Sequence, residues 1–311
     1  MSEGGPEEAR GGDAAGWLAG PATGSPLIPE RVRMVVMTDP RGPAWLDSVP
    51  GLVEELARRW GLSLGRPLDH EGYTSAVVPG ETRDGTAVVL KVGFPFMEDR
   101  DQAAGLRFWD GDPTVRLLAA DEESGALLLE RCVPGHSLRT RPAEERDRVL
   151  AGLLRRAWRP VGPGHAFRHL SELIDRWSAV TAEEEARWPD PGLVREGIAS
   201  WRELSRPGPD DVLLVTDAHA GNVLAAEREP WLIIDPRPFV GDRAYNATRH
   251  LFDARERLAA DPAGFLGYWA HLLDLDVVRV RAWAFARFAA EYSESDEWWR
   301  WAAGMARKVA P

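Results

Sequence analysis

Apolar positions along the chain change their period near residue 134. Between Pro50 and Trp60, Leu52, Val53, Leu56 and Trp60 fall on one side of a helical wheel, which predicts a short amphipathic helix. Short apolar runs follow at 64–68, 75–79 and 87–92. Arg83-Asp84-Gly85, between the last two, has the composition of a hairpin turn. Residues 97–109 return to the helical period and stop before Gly111 and Pro113. Two further runs, 115–120 and 126–132, read as a second hairpin turned by 121–125. Beyond Pro134-Gly135 helical periods dominate, at 142–158, 168–180 and 191–205. Short strands are expected at 212–216, 223–226 and 231–234, and 244–308 is again helical and rich in tryptophan. No internal repeat is present.

This order predicts an α+β chain. A small antiparallel β lobe with one helix covers 29–132, and a larger, mainly helical lobe covers 133–311, with a linker near 131–136. Ligands are expected between such lobes. Residues 1–28, rich in Gly, Pro, Ala and Glu and without period, are expected to be a disordered tail. Met34 and Met37 stand as alternative starts.

Composition narrows the partners. The 311 residues carry a net charge of −11, which argues against a nucleic-acid binder with its basic face. The same charge suits a cationic small molecule, although acidity also serves solubility. Cys132 is the single cysteine, so no disulfide forms within the chain and a cytoplasmic location is expected. No apolar run approaches the ~18 residues of a membrane-spanning helix. The segment MSEGGPEEAR lacks the apolar core of a secretory signal. Of 38 basic residues only Lys91 and Lys308 are lysine, and Lys91 stands inside the apolar run Val88–Val92.

The stretch 213–224 carries the chemistry. An apolar strand ends at Thr216, the loop holds Asp217, His219 and Asn222, and a second strand begins at Val223. A later strand delivers Asp235, followed by Pro236. Two strand ends thus present a carboxylate, an amide and a second carboxylate. A hairpin turn accounts for Gly221-Asn222 but not for Asp235 at a buried strand end, where an unmet carboxylate is costly. Phosphoryl transfer from ATP uses such a set: a carboxylate to take the proton of the attacking hydroxyl, an amide oxygen and a carboxylate as hard ligands for Mg²⁺, and a lysine on the donor phosphates, for which Lys91 is the candidate. No GxxxxGK loop is present, so a P-loop is excluded. Thr74 and Ser75, in the segment His70–Ser75 at the first hairpin turn, are candidates to cover the phosphates, or belong to an ordinary turn.

Asp217-x-His219-x-x-Asn222 followed by Ile234-Asp235-Pro236 resembles the catalytic and metal-binding segments of the aminoglycoside phosphotransferase superfamily. Leu127–Arg131, Asn222–Ala225, Asp235–Pro238 and Gly241-Asp242 resemble its branch of streptomycin kinases and hydroxyurea-resistance kinases, over roughly residues 30 to 300. The resemblance implies a two-lobed, protein-kinase-like fold and transfer of the γ-phosphoryl of ATP to a substrate hydroxyl. By that match Asp217 is the catalytic base, Asn222 and Asp235 hold the metal, and Lys91 meets the α- and β-phosphates. Glu130, Cys132 and Val133 belong to the hinge that meets adenine, and His219 braces its own loop. The sequence departs from the family at three places. Val215-Thr216 stand where His-Gly is usual, Gln102 stands where a helix supplies a glutamate to the lysine, and Asn246 stands where a later aspartate is usual. Glu98, four residues before Gln102, is a candidate substitute for that glutamate.

His165 and His169 have the spacing of helical metal ligands but no acidic third ligand, and read as surface or core histidines. The Trp298, Trp299 and Trp301 cluster reads as packing. Glu291, Glu294 and Asp296 either face a polycationic substrate or form a solvated helix face. Three functions compete: a kinase of a streptomycin-like aminoglycoside, or of hydroxyurea, a nucleoside antibiotic or another hydroxylated metabolite; a degraded kinase that binds without turnover; and a metal-dependent hydrolase using Asp217, His219 and Asp235. The expected assembly is a monomer or weak dimer.

Overall fold

The computed structural model describes residues 27–68, 72–184, 187–291 and 295–310; His70, Glu71 and Glu294 lie outside the described residues. Two compact units are present. The smaller joins the described residues up to Pro95 with Leu118–Arg131, and the larger joins Phe96–Leu117 with the described residues from Cys132 onward.

In the smaller unit, helices α1 (Glu30–Val36) and α2 (Gly42–Trp60) precede strands β1 (Ser63–Leu64), β2 (Ser75–Glu81), β3 (Ala87–Gly93), β4 (Leu117–Asp121) and β5 (Ala126–Glu130). The sheet order is β1-β2-β3-β5-β4. Antiparallel pairing sets Lys91 between Val77 on β2 and Leu127 on β5. The globular chain starts earlier than its composition suggests: Leu27 and Ile28, expected in the tail, are buried, and α1 follows directly. Helix α2 is also longer than the expected 50–60. Leu46, Val49, Val53 and Leu56 form one buried stripe that runs through Pro50. A proline in a helix interior removes one backbone hydrogen bond, and burial of that stripe offsets the loss. Gly61 ends the helix in the left-handed conformation, φ 65°.

Helix α3 (Gln102–Trp109) belongs to the larger unit, although its sequence position suggested the smaller. Three contacts dock it there. Gly105 lies so close to Pro238 that a Cβ would meet the ring at 2.9 Å. Trp109 Nε1 donates to the Ala157 carbonyl at 2.9 Å, and Gln102 reaches the strand end at 235–236. The continuous helix expected over 97–109 is two pieces, a 3₁₀ turn at Met97–Asp99 and α3, so Glu98 and Gln102 do not share one helix.

The rest of the larger unit holds β6 (Pro134–Ser137), helices α4 (Ala143–Ala157), α5 (Leu170–Glu183) and α6 (Pro191–Leu204), and strands β7 (Val212–Val215), β8 (Val223–Ala226), β9 (Leu232–Ile233) and β10 (Pro238–Gly241). Helices α7 (Arg243–Asp253), α8 (Arg255–Ala260), α9 (Pro262–Leu273), α10 (Val277–Ala290) and α11 (Asp296–Val309) complete it. The strands form two small antiparallel sheets, β6-β8-β9 and β10-β7. A core containing Trp109, Trp269, Trp283, Phe239 and Phe288 lies among the helices. Trp299 is buried in it, and Trp298 and Trp301 pack against it. No helix among the described residues is long and apolar enough to cross a membrane.

Candidate active site

Strand β7 is buried at all four positions, so its direction is fixed and it delivers the loop after Val215 to one place. The loop is closed by its own polar groups. Thr216 N–H and its hydroxyl both donate to the Arg237 carbonyl, at 3.1 and 2.8 Å. Asn222 Nδ2 donates to the Asp217 carbonyl at 3.0 Å, and Ile234 N–H donates to the Asn222 carbonyl at 2.9 Å. Antiparallel pairing of Val223 with Ile233 brings the ends of β8 and β9 together, and with them Asn222 and Asp235. Asp235 has φ 53°, a left-handed conformation that asparagine and aspartate tolerate better than other side chains. Gln102 Nε2 donates to Asp235 Oδ1 and to the Pro236 carbonyl.

These contacts account for the three departures from the family pattern. The Thr216 side chain ties the loop to Arg237, and Thr216 is not among the described residues with positive φ. Gln102 donates to Asp235, a bond that the carboxylate of a glutamate could not make. Asn246 is fully buried on α7; its Oδ1 accepts from Trp158 Nε1 at 2.9 Å and its Nδ2 donates to the Val215 carbonyl at 2.7 Å. An aspartate there would set an acceptor against an acceptor.

His219 turns into its own loop, where Nδ1 accepts from Gly221 N–H at 3.1 Å. Burial, reinforced by the positive charge of Arg249, pushes its imidazole down to about 4, so it is neutral at physiological pH. The ring braces its own loop through Nδ1, and His219, Asp217 and Asp235 are not grouped as metal ligands among the described residues, so the hydrolase reading lacks its metal site.

The Asp217 carboxylate opens into a cavity of about 350 Å³. Its polar lining comprises three carboxylates, Glu98, Asp217 and Glu291, and three guanidinium groups, Arg237, Arg249 and Arg287. Trp177, Trp201, Tyr245, Phe252 and Trp298 supply aromatic walls. Arg249 Nε donates to Asp217 Oδ1 at 3.1 Å, and Arg237 Nη1 stands 3.8 Å from Oδ2. Arg237 Nε donates to Asp99 Oδ1 at 3.0 Å. Burial opposes the charge of Arg237, but Asp99, Asp217, Asp235 and Glu98 outweigh it and hold its pKa above the ordinary value. Arg287 behaves likewise: burial is outweighed chiefly by Glu291. It donates to Thr248 Oγ1 at 2.9 Å and to Glu291, and lies over the rings of Tyr245 and Phe252.

Some expected site residues lie outside this group. Lys91 is 8 % exposed on β3 of the smaller unit. Ser75 opens β2 opposite Gly93, and the Thr74 carbonyl accepts from Phe94 N–H at 2.7 Å. Glu130 closes β5, Cys132 is buried and Val133 is exposed, and the smaller unit ends between Arg131 and Cys132. Asp296 is solvated at the start of α11, 3.8 Å from Arg187, and does not line the cavity, whereas Glu291 does. His169 caps α5 and bonds Asp211 Oδ2 through Nε2.

The donor set at 222 and 235 is an amide oxygen and a carboxylate, both hard ligands that suit Mg²⁺. Among the described residues no group of three or more His, Cys, Asp or Glu is arranged to hold a metal. A magnesium ion bound largely through nucleotide phosphates and water needs no such group.

Sequence reading missed Arg237, Arg249 and Arg287. For Arg249 a signal existed. Tyr245, Arg249 and Phe252 stand at i, i+4 and i+7 of α7 and all face the cavity, so an arginine occupies an otherwise aromatic stripe.

Residues 59–301 match the family described as aminoglycoside/hydroxyurea antibiotic resistance kinase. The chain is 38 % identical to a hydroxyurea phosphotransferase of Kitasatospora aureofaciens, over 79 % of this chain and 73 % of the relative. It is 36 % identical to a streptomycin 6-kinase of Streptomyces griseus, over 79 % and 82 %. The choline kinase LicA of Streptococcus pneumoniae shares the fold at 11 % identity, covering 83 % of this chain and 98 % of that one, with a TM-score of 0.60. In a structure of LicA with AMP the TM-score is 0.62.

Proposed function

Because the chain belongs to the aminoglycoside/hydroxyurea antibiotic resistance kinase family, we propose that it transfers the γ-phosphoryl group of ATP to a hydroxyl of a streptomycin-like aminoglycoside and so inactivates it. The observation that carries this reading is the Asp217 carboxylate, which opens into an aromatic-walled cavity beside Glu98 and Glu291. In the reaction the substrate oxygen bonds to the γ-phosphorus, the bond from that phosphorus to the bridging oxygen breaks, and ADP leaves. Asp217 accepts the hydroxyl proton. The cavity walls align the acceptor ring, and the aromatic faces favour a cationic sugar, while the three carboxylates of the lining are matched by three guanidinium groups. Lys91 is assigned to the α- and β-phosphates, Thr74 and Ser75 to their cover, and 130–133 to the adenine. Asn222 and Asp235 would hold Mg²⁺. That ion would neutralise charge developing on the transferred group.

The size of the cavity favours an aminoglycoside over hydroxyurea. A volume of about 350 Å³ falls in the range that holds drug-sized ligands, whereas hydroxyurea has a single carbon atom. The donor set at Asp217, Asn222 and Asp235 is complete, which favours turnover over a binding protein that has lost it. The expected location is the cytoplasm, where ATP is available. The test is incubation of purified protein with ATP and Mg²⁺ against a panel of aminoglycosides, hydroxyurea and nucleoside antibiotics. Gain of one phosphate in mass by streptomycin is the expected result. Gain by hydroxyurea alone would replace the substrate, and gain by no member of the panel would overturn the reading.

A further inference from the structure

We propose that Arg249 is a positioning residue for phosphoryl transfer: it anchors Asp217 Oδ1 so that Oδ2 is left to receive the proton of the acceptor hydroxyl. This rests on the reading of Asp217 as the catalytic base. Three observations carry the assignment. The first is the bond itself, Arg249 Nε to Asp217 Oδ1 at 3.1 Å, between groups that are each about one quarter exposed and line the same cavity. The second is the support behind Arg249. Asp253, one turn later on α7, lies 3.9 Å from Nη1, so the guanidinium is attracted from two sides. The third is asymmetry. Arg237, the other arginine near Asp217, is 3.8 Å from Oδ2 and spends its Nε on Asp99. Only the Oδ1 contact has hydrogen-bond length.

The anchor has a chemical purpose. A carboxylate on a single χ1–χ2 pair can swing either oxygen toward a substrate, and misplacement of a reacting group by about 1 Å can cost 100-fold in rate. Holding Oδ1 fixes the plane of the group. Arg249 never exchanges a proton and need not touch the substrate. Its neighbours on the cavity wall, Tyr245 and Phe252, come from the same helix, so α7 sets the position of both the base and the acceptor ring.

The test compares Arg249→Ala, Arg249→Lys and Asp217→Asn with the double variant Asp217→Asn/Arg249→Ala, with wild-type turnover measured first. We expect Arg249→Ala to lower kcat about 10- to 100-fold, with KM for ATP within about twofold. Ethylguanidinium in the buffer should restore part of that loss. In the Asp217→Asn background the same substitution should cost almost nothing further, since the two residues act as one unit. Arg249→Lys keeps the charge and gives a second readout if the alanine variant does not fold; it should retain more kcat than alanine. Absence of phosphorylation by wild-type protein would overturn the kinase reading and this proposal with it. If wild-type protein is active, a full kcat in Arg249→Ala overturns the proposal alone. A loss that adds to Asp217→Asn, appears equally in every KM and resists rescue does so as well.

Discussion

Asp147 and Asp217 are both held by arginine, and both receive a partner from α7, yet they serve opposite ends. Asp147, on α4, is fully buried. Its Oδ1 accepts from His250 Nε2 at 2.7 Å and from Arg257 Nη2 at 2.8 Å, and its Oδ2 accepts from Arg257 Nη1 at 2.6 Å. Asp217 is 26 % exposed, has one contact of hydrogen-bond length from an arginine, and faces a cavity. Arg249 and His250 are adjacent, and successive residues on a helix point about 100° apart. One side chain therefore reaches the cavity and the next reaches the core. The lesson concerns acceptor capacity. A carboxylate closed by three donors is a structural tie, whereas one with an oxygen left open toward a cavity can take a proton from a substrate.

The largest expected effect breaks the open member. Asp217→Asn should lower turnover about 10²- to 10⁴-fold, the usual contribution of a general base, while thermal melting stays within a few degrees of wild type. Single-turnover phosphorylation and a melting curve check the two halves. Turnover near the wild-type rate would remove Asp217 from the mechanism. The next effect breaks the closed member. Asp147→Asn removes one charge of a buried cluster and leaves Arg257 and His250 facing a neutral amide, a change that costs about 3–5 kcal/mol. Urea denaturation should show a lower midpoint with an unchanged slope. The protein that remains folded should keep its kcat. If Asp147→Asn loses kcat instead of stability, the division between the two aspartates fails.

Much of the open site was legible in the sequence because strand ends fix it. The strand before Asp217 is buried throughout, and Leu232 and Ile233 are buried just before Asp235, so the polar residues beyond them have few places to go. The arginines were not legible. Nearly all of the 38 basic residues are arginine, so no single one stands out by type. Only the approach of α7 and α10 to the cavity selects Arg249 and Arg287. The fold was misread where proline carried the judgement. Pro50 read as the start of a helix, yet it lies inside α2, which begins at Gly42. Pro134 read as linker, yet it opens β6, and no strand was expected at 238–241, where Pro238 opens β10. A first-position proline suits a strand start because its missing N–H need not enter the ladder. Asp147 and His250 gave no sign at all. Their partnership joins α4 to α7, a long-range contact that helical periodicity does not encode.

A smaller effect sharpens the comparison without a severe lesion. Burial alone would raise the Asp147 carboxyl, but donation by Arg257 and His250 outweighs it and holds the group at about 2, below the ordinary 3.8. The unfolded chain therefore takes up this proton at higher pH than the folded protein does. The stability that Asp147 supplies is whole above pH 4, falls as pH drops through the interval from 3.8 to about 2, and is gone below it. The span corresponds to about 2 kcal/mol. Asp84, Asp121 and Asp190 also lie below their ordinary values, through bonds at the surface, so the wild-type acid limb is not due to Asp147 alone. The difference between wild type and Asp147→Asn isolates it. Unfolding free energies from urea titrations at several pH values between 2 and 6 should give two curves that converge as the pH falls. Parallel curves would mean that the closed carboxylate is not held by its donors in the way its three short bonds imply, and the contrast with Asp217 would then rest on exposure alone.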